Sequence, residues 1–202
     1  MDFFELLAKP GARASEVATC LDAMTHGQRV DLLPRLDRAV QKRLYTLASL
    51  SAPVGVEHFV PAEVEARCEV RHLGRNTLPL PRAHTRFEKR FCRAGDGSGR
   101  LFGYNEAPSR DLIGPGYFVA RPVGDDAVWA SRGDVVIDYF EVPDGPVAPT
   151  WPAVVSNKQG LQRFVYHGTR DFMRRVAQAV SIGAAYKGER SLGSYFVLVR
   201  ED

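Results

Sequence analysis

The stretch GLQRFVYHGTRDFMRRVAQAVSIGAAYKGERSLGSYFVLV, residues 160–199, carries the strongest pattern in the chain. Apolar or small residues recur there largely at steps of three and four positions, at Leu161, Phe164, Val165, Gly168, Phe172, Val176, Ala179 and Val180. This spacing is typical of a helix with one buried face. It predicts a helix over residues 158–180, followed by a buried strand over residues 192–199.

A helix with one apolar face and a strand that is apolar on both faces need a sheet to pack on. Residues 87–92 alternate in the manner of a strand, and the glycine-rich residues 95–99 turn the chain into a second strand at 101–104. Further strands are expected at 117–123, 135–142 and 182–186, each next to glycine or proline turn signals. With the last strand the sequence predicts about six strands and, between them, one helix.

These elements predict an α+β fold. An N-terminal helical segment accompanies a mostly antiparallel, curved or barrel-like sheet, and a long C-terminal helix covers that sheet. Three regions are expected: a helical segment at 1–50, a linker with local structure at 51–83, and a β-rich domain at 84–202 that contains the helix 158–180. The first region is assigned from apolar residues at helical spacing, and the second from its prolines and weak periodicity.

The composition limits the class of function. The chain has 202 residues and a formal net charge of +3, which is too small an excess to indicate a nucleic-acid surface. No run approaches the roughly 18 to 20 apolar residues of a membrane span, and the start lacks the features of a signal peptide. We therefore expect a cytoplasmic protein without membrane contact. The three cysteines show no disulfide or zinc spacing, and the five histidines are scattered, so no metal site is predicted.

Asp138 is the most informative candidate for a ligand site. In a strand it shares a face with Val136 and Phe140, so its carboxylate needs a buried partner, for which Arg90 or Lys89 is available, or a polar pocket. Other polar or amphipathic residues on or beside predicted strands complete the candidate ligand-binding set, which is Glu88, Arg90, Tyr104, Asn105, Tyr117 and Asp138. An ion pair that closes the sheet is the alternative to a pocket.

A possible basic surface lies on the predicted helix 158–180, opposite its apolar face. Its members are Arg163, His167, Arg170 and Arg174. Such a face is either solvated or a binding surface for phosphate or an acidic partner.

Two short segments resemble a known enzyme family. Residues 166–170 read YHGTR and residues 193–196 read GSYF. They resemble the His-Gly-Thr/Ser motif and the later Gly-x-Tyr-Phe segment of the ADP-ribosyltransferases and RNA 2′-phosphotransferases. The resemblance implies an enzyme that uses NAD, with His167 holding the nicotinamide ribose.

The residues favour a ligand-binding or protein-interaction module without catalysis, whose partner is a small molecule or a protein. The alternative is an ADP-ribosyltransferase-like enzyme that uses NAD. The sequence indicates neither a resident cofactor nor an oligomeric state.

Overall fold

The computed structural model describes residues 2–79 and 85–201. In this part of the chain eight strands form a closed antiparallel barrel, in which each strand pairs with its neighbours in sequence and β8 pairs with β1. The strands are β1 (Val70–Asn76), β2 (Arg86–Arg93), β3 (Leu101–Glu106), β4 (Phe118–Pro122), β5 (Val135–Asp138), β6 (Thr169–Ala177), β7 (Val180–Lys187) and β8 (Arg190–Arg200). Closure leaves no unpaired strand edge among them.

The helices of the described residues are short. They are α1 (Phe3–Ala8), α2 (Ala14–Asp22), α3 (His26–Leu32), α4 (Arg38–Leu47), α5 (Arg110–Ile113), α6 (Ala127–Arg132) and α7 (Gln162–Val165). Side-chain caps begin three of the four N-terminal helices: Asp2, Thr25 and Asp37 each accept a hydrogen bond from a backbone N–H of the first turn. Such caps satisfy donors that have no partner inside the helix.

Helices α1–α4 pack on the outer face of β6, β7 and β8. Phe3 and Leu44 from the helices form one apolar cluster with Ile182 of β7 and Val197 of β8, and all four are buried. A second outer face, on β2–β4, is covered by the loop that carries Trp151, which packs on Tyr104. Most of the barrel wall therefore has a buried outer surface as well as a buried inner one.

The barrel interior is filled by side chains. Val54, Val56, Phe59 and Val60 enter one end and pack against inward-facing residues, which include Phe91, Leu101, Phe118, Ile137, Met173 and Leu198. This end is plugged by the segment 54–60. At the opposite end β3 and β5 finish and β4 and β6 begin; we call this end the mouth.

The predicted α+β fold with a sheet covered by a helix at 158–180 is wrong. Residues 162–165 form the single turn α7, and residues 169–177 form strand β6, which pairs with β5 on one side and β7 on the other. The prediction of an antiparallel sheet is confirmed.

The helical spacing misled because β6 is buried on both faces. Phe172 packs outward against Trp129 and Tyr186, while Met173 points into the barrel, so apolar residues do not simply alternate with polar ones. A strand covered on both sides loses the period of two that distinguishes it from a helix. The barrel needs a strand between β5 and β7, and that long-range pairing overrides local helical propensity.

Strands lie at all six positions where the sequence predicted them, and the structure adds β1 and β6. The boundary between the predicted linker 51–83 and the β-rich region lies outside the described residues. The division of the chain into 1–50, 51–83 and 84–202 stays a prediction.

Two buried histidines lie at the plugged end. His72 is on the inner face of β1, where a ring nitrogen contacts the Phe59 carbonyl oxygen at 2.9 Å, and His58 precedes Phe59 in the plug. Burial lowers the pKa of each imidazole from 6.5 to about 3, and the neighbouring Arg200 acts in the same direction. Both rings are therefore neutral in the folded protein at pH 7.

We expect Leu44→Ala to lower the free energy of unfolding by about 3 kcal/mol, because it leaves a cavity between the helices and the barrel. Leu44 is 1% exposed, whereas Leu50 is 78% exposed, so Leu50→Ala is the matched control and should change stability by less than about 0.5 kcal/mol. Urea denaturation checks both variants. Equal effects would contradict the packing of α4 on β8.

Stability should fall as pH is lowered from 6.5 toward 3, since the unfolded chain binds protons on His58 and His72 that the folded chain rejects. Each histidine contributes a slope of about 1.4 kcal/mol per pH unit in this window. We expect His72→Gln to reduce the slope of the unfolding free energy against pH by about 1.4 kcal/mol per pH unit between pH 6 and pH 4. Urea denaturation across this range checks it. Above pH 7 the variant and the unchanged protein should show the same slope. An unchanged slope between pH 6 and pH 4 would contradict the burial of a neutral His72 ring.

Candidate functional site

The barrel interior contains a cluster of four polar side chains near the mouth. Lys89, Asn105, Tyr139 and Asp171 come from β2, β3, the end of β5 and β6, and none of them is more than 5% exposed. Most of the other side chains packed inside the barrel are apolar. We call these four residues the polar cluster.

Lys89 is the centre of the cluster. Its Nζ donates a hydrogen bond to Asn105 Oδ1 at 2.9 Å and lies 3.2 Å from Asp171 Oδ2, and it also contacts the Tyr139 hydroxyl. The Tyr139 hydroxyl lies 3.3 Å from Asp171 Oδ2 and accepts a hydrogen bond from Asn105 Nδ2 at 3.2 Å. The same Asn105 amide donates to the Gly116 carbonyl oxygen at 2.9 Å, which anchors the cluster to the loop before β4.

Aromatic rings surround the lysine. Lys89 Nζ is 5.0 Å from the ring centroids of Phe118 and Tyr139, 4.9 Å from that of Phe196 and 5.7 Å from that of Phe87. The ring faces favour a cation, but they cannot replace the hydration that an ammonium group loses on burial.

Burial dominates the electrostatics of the cluster. It lowers the pKa of Lys89 and raises the pKa of Asp171, while the attraction between the two groups opposes both shifts. Both shifts favour the neutral forms, an amine and a carboxylic acid. Burial and the nearby Asp171 also raise the pKa of Tyr139 well above 10, so its phenol keeps its proton and can donate it in a hydrogen bond.

A segment over residues 156–167, here called the cover, closes the mouth. Tyr166 of the cover stacks on Tyr139 with ring centroids 5.3 Å apart and 20° between the planes. Gln162 accepts a hydrogen bond from the Gly116 N–H at 3.2 Å, and Asn157 donates to the carbonyl oxygens of Tyr117 and Tyr139 at 2.7 and 2.9 Å. Gly116 has a φ of 54°, and a Cβ there would lie 2.4 Å from the Tyr166 ring, so the close approach of the cover requires glycine.

The cover exposes three large apolar side chains beside polar ones such as Lys158 and Arg163. Leu161, Phe164 and Val165 are 48%, 66% and 41% exposed. The cover is therefore attached by a few polar contacts and one aromatic stack, and much of its apolar surface faces solvent. Fewer buried contacts make local opening less costly.

Of the predicted ligand-binding residues, Asn105 alone belongs to the polar cluster. Glu88, Arg90, Tyr104 and Tyr117 lie on the outer face of the barrel or beside it, close to Trp151. There Arg90 pairs with Glu88 at 2.9 Å, the Tyr104 hydroxyl donates to Glu106 at 3.2 Å, and the Tyr117 hydroxyl donates to the Pro152 carbonyl at 2.5 Å. The Tyr117 contact holds the outer loop on the wall, whereas the other two join residues of the same strand.

Asp138 lies on the outer face of β5 and is 1% exposed. Its Oδ2 is 2.8 Å from Arg170 Nε and 3.4 Å from Arg121, and its Oδ1 accepts from the Phe140 N–H at 2.9 Å. The expected partners Arg90 and Lys89 are therefore wrong. Arg90 is paired with Glu88, and Lys89 points to the other side of the wall.

The helix on which the basic surface was predicted does not form. Arg163 is on α7 and His167 is in the turn before β6, whereas Arg170 and Arg174 are on the outer face of β6. Arg170 is bound to Asp138 and stacks between Trp129 and Phe140, with its guanidinium carbon 4.7 and 4.2 Å from the ring centroids. Arg174 donates to the carbonyl oxygens of Tyr45 and Ser131 at 2.8 and 2.7 Å.

The two segments that resemble ADP-ribosyltransferases lie on different strands, with β7 between them. His167 precedes β6, and its ring contacts Phe140 at a centroid distance of 6.2 Å. In the other segment Tyr195 faces the N-terminal helices and packs on Tyr45. The ring of Tyr195 thus packs away from His167, in the layer beneath the helices.

Sequence reasoning did not place Lys89, Tyr139 and Asp171 together. One signal was available: Phe87, Lys89 and Phe91 share the face of one strand, so a lysine stands between two apolar residues that point into the core. Asp171 had no such signal, because it was placed on the polar face of a helix that does not form.

Comparisons of the chain with protein-family models, with curated proteins and with solved structures found no match. Within residues 2–79 and 85–201, no group of three or more His, Cys, Asp or Glu side chains could hold a metal ion. No helix in that part of the chain is long and apolar enough to cross a membrane.

We expect Asp138→Ala to lower the free energy of unfolding by about 3 kcal/mol, because it leaves Arg170 and Arg121 without their shared buried acceptor. Asp144 also pairs with an arginine, at 3.1 Å, but its side chain is 64% exposed. Asp144→Ala is therefore the matched control and should cost less than about 1 kcal/mol. Urea denaturation distinguishes the two, and equal small losses would mean that the Asp138 pair contributes little to the fold.

Proposed function

We propose that the chain binds a small molecule at the mouth of the barrel, in contact with the polar cluster. The ligand has an apolar body and one oxygen-containing head group, a carbonyl or a carboxylate. The observation that carries the proposal is the convergence of Lys89, Asn105, Tyr139 and Asp171, from four different strands, on one point of an apolar interior.

Stability alone is a weak reason for such a cluster. A buried ion pair loses the hydration of both charges, and replacing one with apolar residues of similar volume is often neutral or stabilising by about 1–4 kcal/mol. Lys89 and Asp171 are 2% and 5% exposed, so they bear nearly the full loss of hydration. Recognition of a small molecule would explain why Lys89 and Asp171 are polar at this place.

The chemistry of the cluster defines the class of ligand. Lys89, the Asn105 amide and the Tyr139 hydroxyl carry N–H and O–H donors, which now bind groups within the cluster and the Gly116 carbonyl oxygen. An oxygen acceptor on the ligand would exchange with one of these contacts. Asp171 is already paired with the lysine, so the head group need not carry a negative charge. The rings of Phe87, Phe118 and Phe196 provide apolar walls for the body of the ligand.

Entry of the ligand requires displacement of the cover. Gly160 and Gly168, with φ values of 56° and 78°, lie on either side of α7 and give the chain backbone freedom at both points. Asn157 in the cover is 2% exposed, and its Oδ1 has no hydrogen-bond partner among the described residues. A buried acceptor without a partner costs free energy in the closed state, which favours opening of the cover.

The proposal is tested with sodium benzoate, which combines an aromatic ring with a carboxylate. We expect binding in the millimolar range, about 4 kcal/mol, with the largest NMR shift changes at the backbone amides of Gly116, Gln162 and Tyr166. Lys89→Met should weaken binding by about tenfold or more, since it removes the central donor. Gln162→Ala should strengthen binding, because the closed cover competes with the ligand.

Arg90→Met is the matched control, since Arg90 is the next residue along β2 and its side chain lies on the outer face. It should leave benzoate binding unchanged. Shift changes confined to the outer surface, or equal binding by the Lys89→Met variant, would refute the proposed site.

A further inference from the structure

We propose that Lys89 captures its ligand covalently, as a Schiff base with the carbonyl carbon of an aldehyde or ketone. This inference rests on the proposed small-molecule site at the mouth, and it narrows the head group from an oxygen acceptor to a reactive carbonyl. It gives Lys89 the role of nucleophile.

The surroundings of Nζ suit that reaction. Lys89 lies on a paired strand and is 2% exposed, so its amine is held in place and sheltered from bulk water. A carbonyl oxygen next to Nζ would be within reach of the Tyr139 hydroxyl and the Asn105 amide, which already contact each other at 3.2 Å. Two fixed donors can stabilise the charge that develops on that oxygen.

The amine also needs a lone pair. Burial lowers the pKa of Lys89 and raises the pKa of Asp171, so both shifts act toward the neutral amine and the neutral carboxylic acid. The neutral amine is the nucleophilic form, and the acid is a proton source at 3.2 Å from it.

The step balances without a further reactant. The Nζ lone pair forms a bond to the carbonyl carbon. The carbonyl oxygen takes up the two protons of the amine and leaves as water. The net reaction joins one amine and one carbonyl group into an imine and one water molecule. Transfer of the Asp171 proton to the imine nitrogen then gives an iminium cation paired with the Asp171 carboxylate.

The choice of basic residue agrees with this role. Only five of the 27 Lys and Arg residues are lysines, at positions 9, 42, 89, 158 and 187, and the other four are exposed. On the outer face the buried carboxylate of Asp138 is paired with the arginines Arg121 and Arg170. An arginine stays protonated and cannot act as an amine nucleophile, whereas a buried lysine can.

The experiment treats the full chain at pH 7 with benzaldehyde and sodium cyanoborohydride, which reduces an imine to a stable benzyl amine, and maps the labelled residues by mass spectrometry. Lys89 should be labelled about tenfold or more faster than each exposed lysine, because ordinary lysines are almost fully protonated at this pH. The N-terminal amine reacts as well and is mapped separately. In urea the preference for Lys89 should disappear.

Two variants sharpen the result without removing the lysine. Gln162→Ala, which releases two hydrogen bonds of the cover, should speed labelling of Lys89 by about tenfold and leave the exposed lysines unchanged. Arg90→Met, on the outer face, should change neither rate.

The outcomes separate the two proposals. Benzoate binding at the mouth with no preferred labelling of Lys89 would overturn the Schiff base and leave the binding site intact. Neither benzoate binding nor labelling of Lys89 would overturn both. Preferred labelling of Lys89 that is lost in urea and accelerated by Gln162→Ala would support the covalent step, whatever the affinity for benzoate.

Discussion

The pairing of β6 with both β5 and β7 is the constraint on which the rest of the structure depends. Without that strand the sheet would have two open edges, and the inward-facing residues would lose the enclosure that keeps water from them. With it, the hydrogen bonds of eight strands form a closed wall. The plug 54–60 and the cover 156–167 then close its two ends.

The interior of an eight-stranded barrel is filled by side chains or holds one small ligand, and in this structure side chains fill it. Any polar group that points inward must therefore find its partners on other strands rather than in water. Lys89 finds them on β3, β6 and the end of β5, so the polar cluster depends on the register of several strand pairs at once. A shift of β2 by one residue would turn Lys89 outward and Arg90 inward.

The two faces of the wall use charge differently. On the outer face, Arg90 pairs with Glu88 of its own strand and with Glu69 just before β1, and Arg170 joins β6 to Asp138 of β5. Both arginines keep part of their surface in solvent. On the inner face, one lysine and one aspartate are held without solvent at a place that a small movement of the cover would open. The outer contacts stabilise the fold, and the inner ones lie where we propose that a ligand binds.

The sequence by itself determined the elements whose signals are local. Alternating residues and the glycine-rich turn at 95–99 located the β2–β3 hairpin, because a turn depends on a few neighbouring residues. Asn105 was predicted to bind a ligand from its place beside a predicted strand, and the structure places it in the polar cluster. For Asp138 the sequence left a buried partner or a polar pocket open, and the structure shows a buried carboxylate with a basic partner, Arg170.

The tertiary structure alone decided that residues 169–177 form a strand. It thereby also decided that Asp171 is the partner of Lys89. Their apolar residues fit a helix as well as a strand buried on both faces, and only the gap between β5 and β7 selects the strand. Asp171 then turns into the barrel and meets a lysine that is far away in the chain. The reason is physical: strand pairing and closure join distant segments through backbone hydrogen bonds, and no local pattern of side chains encodes which segments will meet.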